Sequence, residues 1–277
     1  MTYKTIVVHL DAGRRRRARL DLAFRLAERF DAHLIGVFGL EPVVLPSLPE
    51  VATPTLIETI HAQRHAASEE AAAEFRDKMQ KEQYTAKSEW RATLDDGFAA
   101  LELQAKYADL VLAGQPDPAG DGVPAAFAHR LVMSIGRPVL YVPFAGRFED
   151  CGSRVLVAWN ASRESARAVH DALPLLREAE QAEVATFAAE KIFPGEEALY
   201  DPEMAAYLAR HGARVTLASE PGADIDTGSL ILSRAAERGS DLIVMGAYSH
   251  SRVRELVLGG ATRELFRSMT VPTLMSH

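Results

Sequence analysis

The residues with the clearest chemical potential lie in the segment 246–262, near the end of the chain. Glycines there can expose backbone N–H groups, and hydroxyl side chains can add further hydrogen-bond donors. Such donors, together with the positive end of a helix dipole, suit an anion such as a phosphate. The candidate binding residues in this segment are Gly246, Ser249, His250, Ser251, Gly259, Gly260, Ala261 and Thr262.

A further polar residue, Asn160, directly follows the apolar run 155–159. In an open parallel sheet, ligands bind beyond the carboxyl ends of the strands, at the point where the strand order reverses. If 155–159 is the first strand of such a sheet and 241–246 is its fourth, Asn160 and Gly246 lie at the same crevice. We therefore expect Asn160 to join the candidate site.

The elements that must position these residues occur twice, as an internal repeat. A β-rich run ending in a short polar residue, a buried strand ending in glycine, and a proline-led last strand each appear in both halves. The matched pairs are 6–11 with 155–160, 108–114 with 240–246, and 137–142 with 271–276. The repeat predicts one domain over 1–145 and another over 152–277, joined by a linker rich in proline, glycine and polar residues.

Short, uniformly apolar strands that alternate with amphipathic helices predict parallel βαβ units, with the sheet buried on both faces. The predicted strands lie near 4–10, 33–39, 84–92, 109–114, 138–142, 154–159, 182–188, 213–218, 241–246 and 271–276. The predicted helices lie near 15–30, 56–81, 97–106, 124–135, 162–178, 202–210, 227–238 and 259–269. The fold class is therefore α/β, with two tandem doubly wound domains of five parallel strands each.

These features resemble the universal stress protein family, in particular its tandem two-domain members. The nucleotide-binding branch of that family carries Gly-x2-Gly-x9-Gly-Ser/Thr after the fourth strand, and an aspartate ends the first strand. Here the spacing is kept as Gly246-x2-Ser249-x9-Gly259-Gly260, and Asn160 stands at the aspartate position. The resemblance covers both halves and is clearer in the second.

The resemblance implies a strand order of 3-2-1-4-5 in each domain and an adenine nucleotide, ATP or AMP, as the ligand, with Mg²⁺ as its companion. It also implies that domains pair through their last strands. We therefore expect the halves to pack as a pseudo-dimer through Pro138–Val142 and Pro272–Ser276, and a homodimer of chains is a further expectation. Unprotected strand edges favour such pairing.

The first half keeps the aspartate, Asp11, but loses the phosphate loop. After Gly114 the sequence carries two prolines, which lack N–H donors, together with Asp117 and Asp121, which would repel phosphate. The sequence therefore predicts no nucleotide in this half. The run Arg14–Arg17 has two interpretations, an anion site or acidic partner at this crevice, or a solvated basic turn paired with nearby carboxylates.

Composition excludes several other classes. The chain has 277 residues, 48% of them hydrophobic, a net charge of −7 and a single cysteine, Cys151. One cysteine excludes an intrachain disulfide, the negative charge disfavours non-specific nucleic-acid binding, and no apolar stretch reaches the ~18 residues that span a bilayer. With no signal-peptide pattern, we expect a cytoplasmic protein.

His61 and His65 have metal-ligand spacing on a helix but no third ligand, so we expect no metal site.

Two functional hypotheses follow. In the first, a stress-response regulatory protein binds an adenine nucleotide in its second half, and occupancy changes surfaces that unknown protein partners recognise. In the second, the altered residues Asn160, Ser249 and Gly260 mark a non-nucleotide interaction or chaperone-like module. The residues present no catalytic constellation, so we expect no enzyme. Slow ATP hydrolysis or autophosphorylation on Ser249 or Ser251 is a weaker third hypothesis, because no base stands beside either serine.

Overall fold

The computed structural model describes residues 2–40, 54–93, 96–117, 123–187, 197–221, 225–248 and 260–277. The first half consists of strands and helices that alternate along the chain. They are β1 (Thr5–Leu10), α1 (Arg16–Phe30), β2 (His33–Phe38), α2 (Pro54–Lys81), β3 (Ser88–Ala92), α3 (Gly97–Ala105), β4 (Leu110–Gly114), α4 (Ala125–Ser134) and β5 (Val139–Val142). A short 3-10 turn, Thr85–Lys87, precedes β3, so this strand begins at Ser88 and not near residue 84 as predicted.

The second half repeats this alternation. Its elements are β6 (Arg154–Trp159), α5 (Arg163–Asp171), α6 (Leu173–Glu178), β7 (Gln181–Phe187), α7 (Glu197–Arg210), β8 (Val215–Glu220), α8 (Thr227–Arg238), β9 (Leu242–Gly246), α9 (Gly260–Ser268) and β10 (Thr273–Ser276). The sequence predicts a single helix near 162–178, whereas the structure has two. Pro174 opens the second of them, because proline fits the first turn of a helix but disrupts its interior.

All ten strands join one continuous sheet in the order β3-β2-β1-β4-β5-β10-β9-β6-β7-β8. Each half therefore has the strand order 3-2-1-4-5, as expected. Strands within a half pair in parallel, whereas β5 and β10 pair antiparallel. Leu140 and Leu274 lie opposite each other at the centre of that pair, on a pseudo-twofold axis. The predicted pseudo-dimer is confirmed, and the boundaries 1–145 and 152–277 stay a prediction because the sheet runs through both halves.

Contacts between the halves extend beyond this strand pair. The Gln115 side chain donates to the backbone oxygen of Phe266 at 2.9 Å and accepts the N–H of Phe144 at 3.1 Å. The hydroxyl of Tyr248 forms a hydrogen bond with His129 Nδ1. Because β5 and β10 are committed to each other, their edges are not available to a second chain, and β3 and β8 form the outer edges of the sheet.

Helices cover both faces of the sheet, as the uniformly apolar strands predict. One apolar cluster packs α1, α5 and α6 against one face, and a second packs α3, α4, α8 and α9 against the other. The repeat also places an aspartate before the fourth strand of each half. Asp109 accepts the N–H groups of Lys4 and Thr5, and Asp241 accepts those of residues 152–154, so each carboxylate fixes the start of the neighbouring strand.

Candidate functional site

The candidate site lies at the carboxyl ends of β6 and β9, which are neighbours in the sheet. Ala158 pairs with Met245, so the residues that follow these strands, Asn160 and Ala247, emerge at the same edge. This edge is the point where strand order reverses in the second half, because β7 lies on one side of β6 and β9 on the other. The structure therefore brings Asn160 and Gly246 together, as the sequence predicts.

Asn160 forms the turn that leads into α5. Its side-chain oxygen accepts the N–H of Ser162 at 3.2 Å, and the next residue, Ala161, has a positive φ of 52°. The Ser162 hydroxyl then accepts the N–H of Ser165 at 3.1 Å, so Ser162 is the N-cap of the helix. The amide of Asn160 thus fixes the loop between β6 and the first turn of α5.

Gly246 has a different role from the one expected. We expect glycine here because the chain must turn sharply, but the left-handed residue at this turn is Tyr248, with φ 54°. A Cβ on Gly246 would lie 2.5 Å from the Ser165 nitrogen and 2.6 Å from the Glu164 carbonyl carbon. Gly246 is therefore required because β9 packs directly against the backbone of α5.

The start of α9 lies over the same strand ends. The hydroxyl oxygen of Thr262 accepts the N–H of Tyr248 at 3.2 Å, which ties the helix to the end of β9. Thr262 is 2% exposed, so its hydroxyl acts mainly within the protein. A Cβ on Gly260 would meet no atom of the described residues within 4 Å, so the first turn of α9 is open at Gly260, whereas Ala261 packs partly against the apolar cluster. Ser249, His250, Ser251 and Gly259 lie outside the described residues.

Glu164 also lies at this site, and sequence patterns alone do not identify it. Its side chain is 3% exposed, in the first turn of α5 and against Gly246. Burial would raise the pKa of this carboxyl, but the hydrogen bond from Arg163, its own backbone N–H and the Arg163 charge bring the pKa below the usual value. A carboxylate therefore occupies the N-terminus of α5, and a phosphate would have to bind on the α9 side.

The pseudo-symmetry allows a direct comparison with the first half. The strand register matches Val8 with Val157, which places His9 and Arg19 of the first half at the positions of Ala158 and Ala168 in the second. Counting back from the matched last strands places Phe127 at the position of Ala261. Three large side chains in one half thus correspond to three alanines in the other.

The large side chains project into the crevice of the first half and line the open space that remains there. The His9 ring stacks on Phe127 with centroids 4.7 Å apart. The Arg19 guanidinium lies over Gly114, the counterpart of Gly246, so closely that a Cβ there would be 2.3 Å from Arg19 Nη1. The matching positions of the second half carry alanines, whose side chains are too short to extend into the corresponding space.

A buried ion pair closes the bottom of the first crevice. Arg19 Nη2 lies 2.9 Å from Asp11 Oδ2, and both side chains are buried. Burial raises the pKa of the Asp11 carboxyl, but the Arg19 charge, neighbouring His9 and the N–H of Gly13 bring the pKa below its usual value. Asp11, which stands where the resembled family has its strand-one aspartate, is here paired with Arg19.

The arginine run divides between the two predicted interpretations. Arg16 pairs with Glu70 and Glu74 of α2, as one interpretation expects, but it is buried rather than solvated. Arg14 and Arg15 instead line the crevice of the first half. The run therefore provides both an anchor for α2 and two cations at the strand ends.

The remaining candidates do not assemble into a site within the described ranges. His61 and His65 lie exposed on α2, and the described residues contain no group of three histidine, cysteine or acidic side chains that could hold a metal. Cys151 is buried, and burial followed by the Asp150 charge raises the pKa of its thiol, which keeps it unreactive. No helix in the described part of the chain is long and apolar enough to cross a membrane.

Comparison with known proteins identifies the family. Residues 153–277 match the model of the Universal stress protein family. Residues 153–277 therefore form a universal stress protein domain. A universal stress protein from Archaeoglobus fulgidus DSM 4304 is similar over 98% of this chain and 97% of its own, with a TM-score of 0.70 and 14% identity. A functionally unknown protein from Pseudomonas aeruginosa PAO1 is similar over 99% of this chain and 92% of its own, with a TM-score of 0.61 and 14% identity.

At this identity the two solved structures establish the fold alone, and they do so over both halves of the chain. No curated protein matches the sequence. The family model covers the half that carries Asn160 and Gly246, in agreement with the clearer resemblance of that half.

Proposed function

We propose that this chain is a regulatory universal stress protein that binds an adenine nucleotide, ATP or AMP, in the crevice between β6 and β9. The observation that carries the proposal is the contrast between the halves. His9, Arg19 and Phe127 project into the first crevice, whereas alanines stand at the matching positions of the second. The family match to residues 153–277 supports the same half.

The described residues supply groups for each part of such a ligand. Asn160 and Ala158 border the end of β6, where the adenosine moiety would lie, and an asparagine can both donate and accept hydrogen bonds. The open first turn of α9 at Gly260 presents backbone N–H groups and the helix dipole to the phosphates. The buried Glu164 carboxylate directs the phosphates toward α9 by repulsion. Mg²⁺ would be held mainly by phosphate oxygens, as is usual for this ion.

The test is a titration of the purified full-length protein with ATP and AMP, with and without MgCl₂, followed by thermal unfolding and calorimetry. A ligand present at a hundred times its Kd stabilises the folded state by about 2.7 kcal/mol. Gly260→Asp places a carboxylate where a Cβ meets no atom of the described residues within 4 Å, so it should fold normally and weaken nucleotide binding at least tenfold.

Two controls separate charge from structure. Gly260→Asn has nearly the same shape without the charge and should retain most of the affinity. Ala126→Asp introduces the same carboxylate at the matching exposed position of α4, in the other half, and should leave binding unchanged. The proposal fails if the wild-type protein gains no stability at millimolar nucleotide, or if Gly260→Asp binds as tightly as wild type.

The alternative, a non-nucleotide interaction or chaperone-like module, has one observation in its favour. Glu164 places a buried negative charge beside Gly246, close to where the family binds phosphate. If nucleotide does not bind, this alternative predicts that the full-length protein suppresses aggregation of a heated client protein equally well with and without ATP.

A further inference from the structure

The two outer edges of the ten-stranded sheet, β3 and β8, differ in how they are protected. An unpaired edge presents backbone N–H and C=O groups that favour the addition of another strand, and charged side chains on the edge strand oppose this addition. β3 carries two such side chains in its middle, Glu89 and Arg91, which pair with each other. The β3 edge is therefore protected.

β8 lacks this protection. Between Arg214 and Glu220 the strand carries only uncharged residues, with neither proline nor glycine among them. No described strand pairs with its outer side. Thr216, Leu217 and Ser219 are exposed, and Leu217 presents a large apolar side chain that is 41% exposed. The middle of β8 is thus an apolar edge to which a further strand can be added.

Opposite charges flank this apolar edge. Arg214 is exposed and makes no ion pair among the described residues. At the other end, Glu220 Oε1 lies 2.8 Å from Arg234 Nη1, which holds the carboxylate in place, and Oε2 has no ion-pair partner in the same part of the chain. Within these residues, β8 therefore begins beside an unpaired cation and ends at a fixed carboxylate.

We propose that β8 pairs antiparallel with β8 of a second copy of this chain, on a twofold axis through Leu217. In this register each Leu217 lies opposite its own copy, and Arg214 of each chain lies opposite Glu220 of the other, on the same face of the sheet. A shift by one residue in either direction moves the charges out of direct opposition. The charge pattern therefore selects both the partner and the register.

The sheet already contains one pairing of this kind. Within the chain, β5 and β10 are the last strands of their halves, and they join antiparallel with Leu140 and Leu274 opposite each other. Pairing of β8 with its copy would extend the sheet through a second, isologous contact, as is usual for dimers. A contact of one six-residue strand per chain is small compared with the surface that a stable dimer buries, so we expect dimerisation in the micromolar range.

Sedimentation velocity of the full-length protein across the micromolar range should show the mass rising from 30.3 kDa toward twice that value. Leu217→Lys should weaken dimerisation at least tenfold, because two like charges would lie directly opposite each other. Leu103→Lys, at a leucine of α3 that is 52% exposed, should dimerise like wild type. Circular dichroism and thermal unfolding establish that both variants are folded.

Cross-linking and charge reversal test the register. Opposite residues of an antiparallel pair have Cβ atoms about 4.5–5.5 Å apart, close to the separation in a disulfide, and the native Cys151 is buried. Oxidised glutathione should therefore convert Leu217→Cys, and not Leu103→Cys, into a covalent dimer. Arg214→Glu should weaken dimerisation, whereas Arg17→Glu, at an exposed arginine of the first half, should not.

The inference does not depend on nucleotide binding, and each of these measurements can overturn it. A wild-type protein that stays monomeric throughout the micromolar range would show that the edge does not bind a second copy. Equal dimerisation of Leu217→Lys and wild type would place the dimer contact elsewhere. Absence of the covalent Leu217→Cys dimer, or unchanged dimerisation of Arg214→Glu, would refute the register.

Discussion

The neutral, buried His9 makes the stability of the protein depend on pH in a calculable way. Burial is the largest cause of its lowered pKa, and the Arg19 charge lowers it further, while Asp11 and the Gly39 carbonyl oppose the shift. The pKa is about 4 in the folded protein, against 6.5 for an ordinary histidine. Above pH 6.5 the ring is neutral in both states, so its contribution to stability is fully present.

Below pH 6.5 the unfolded chain binds a proton at this residue that the folded protein excludes. Stability therefore falls as the pH decreases from 6.5 toward 4. Each pKa unit corresponds to about 1.4 kcal/mol, and the two pKa values give a loss of about 2 kcal/mol between pH 7.5 and pH 5. For a chain of this size that loss corresponds to a decrease in Tm of roughly 4–8 °C.

The comparison is between wild type and His9→Gln, whose amide can still donate to the Gly39 carbonyl but does not titrate. Thermal unfolding followed by circular dichroism at pH 7.5 and pH 5 should show a Tm decrease larger in wild type by the amount above. His65→Gln, which removes an exposed histidine from α2, should behave as wild type does. Equal decreases in wild type and His9→Gln would refute the assignment of His9 as neutral and buried.

Two further predictions concern packing and the strand starts. Gly246→Ala should destabilise the protein by about 1–3 kcal/mol in thermal unfolding, because the added Cβ meets the Ser165 nitrogen at 2.5 Å, and Gly260→Ala should change stability by under about 1 kcal/mol. A similar effect of both substitutions would show that Gly246 is not packed against α5. Asp241→Ala should cost about 1–3 kcal/mol, since the N–H groups of residues 152–154 lose their acceptor, and an unchanged Tm would show that water replaces it.

Much of the fold follows from local sequence patterns. Short apolar strands, alternating helices and the repeated strand ends predict two halves with the order 3-2-1-4-5, and the proline-led last strands predict that the halves pair. Errors occur where local geometry decides, as at the break before Pro174 and the turn before β3. Those features depend on individual dihedral angles, which hydrophobic periodicity does not encode.

For the candidate site, too, part of the arrangement follows from the sequence and part only from the tertiary structure. The sequence by itself determined that Asn160 and Gly246 meet at one crevice, because the carboxyl ends of neighbouring parallel strands share an edge. Only the tertiary structure showed that Glu164 is buried beside Gly246, and that Arg19 and His9 project into the other crevice. Periodicity determines which face of an element is apolar, whereas the neighbours of a side chain depend on how separate elements pack together.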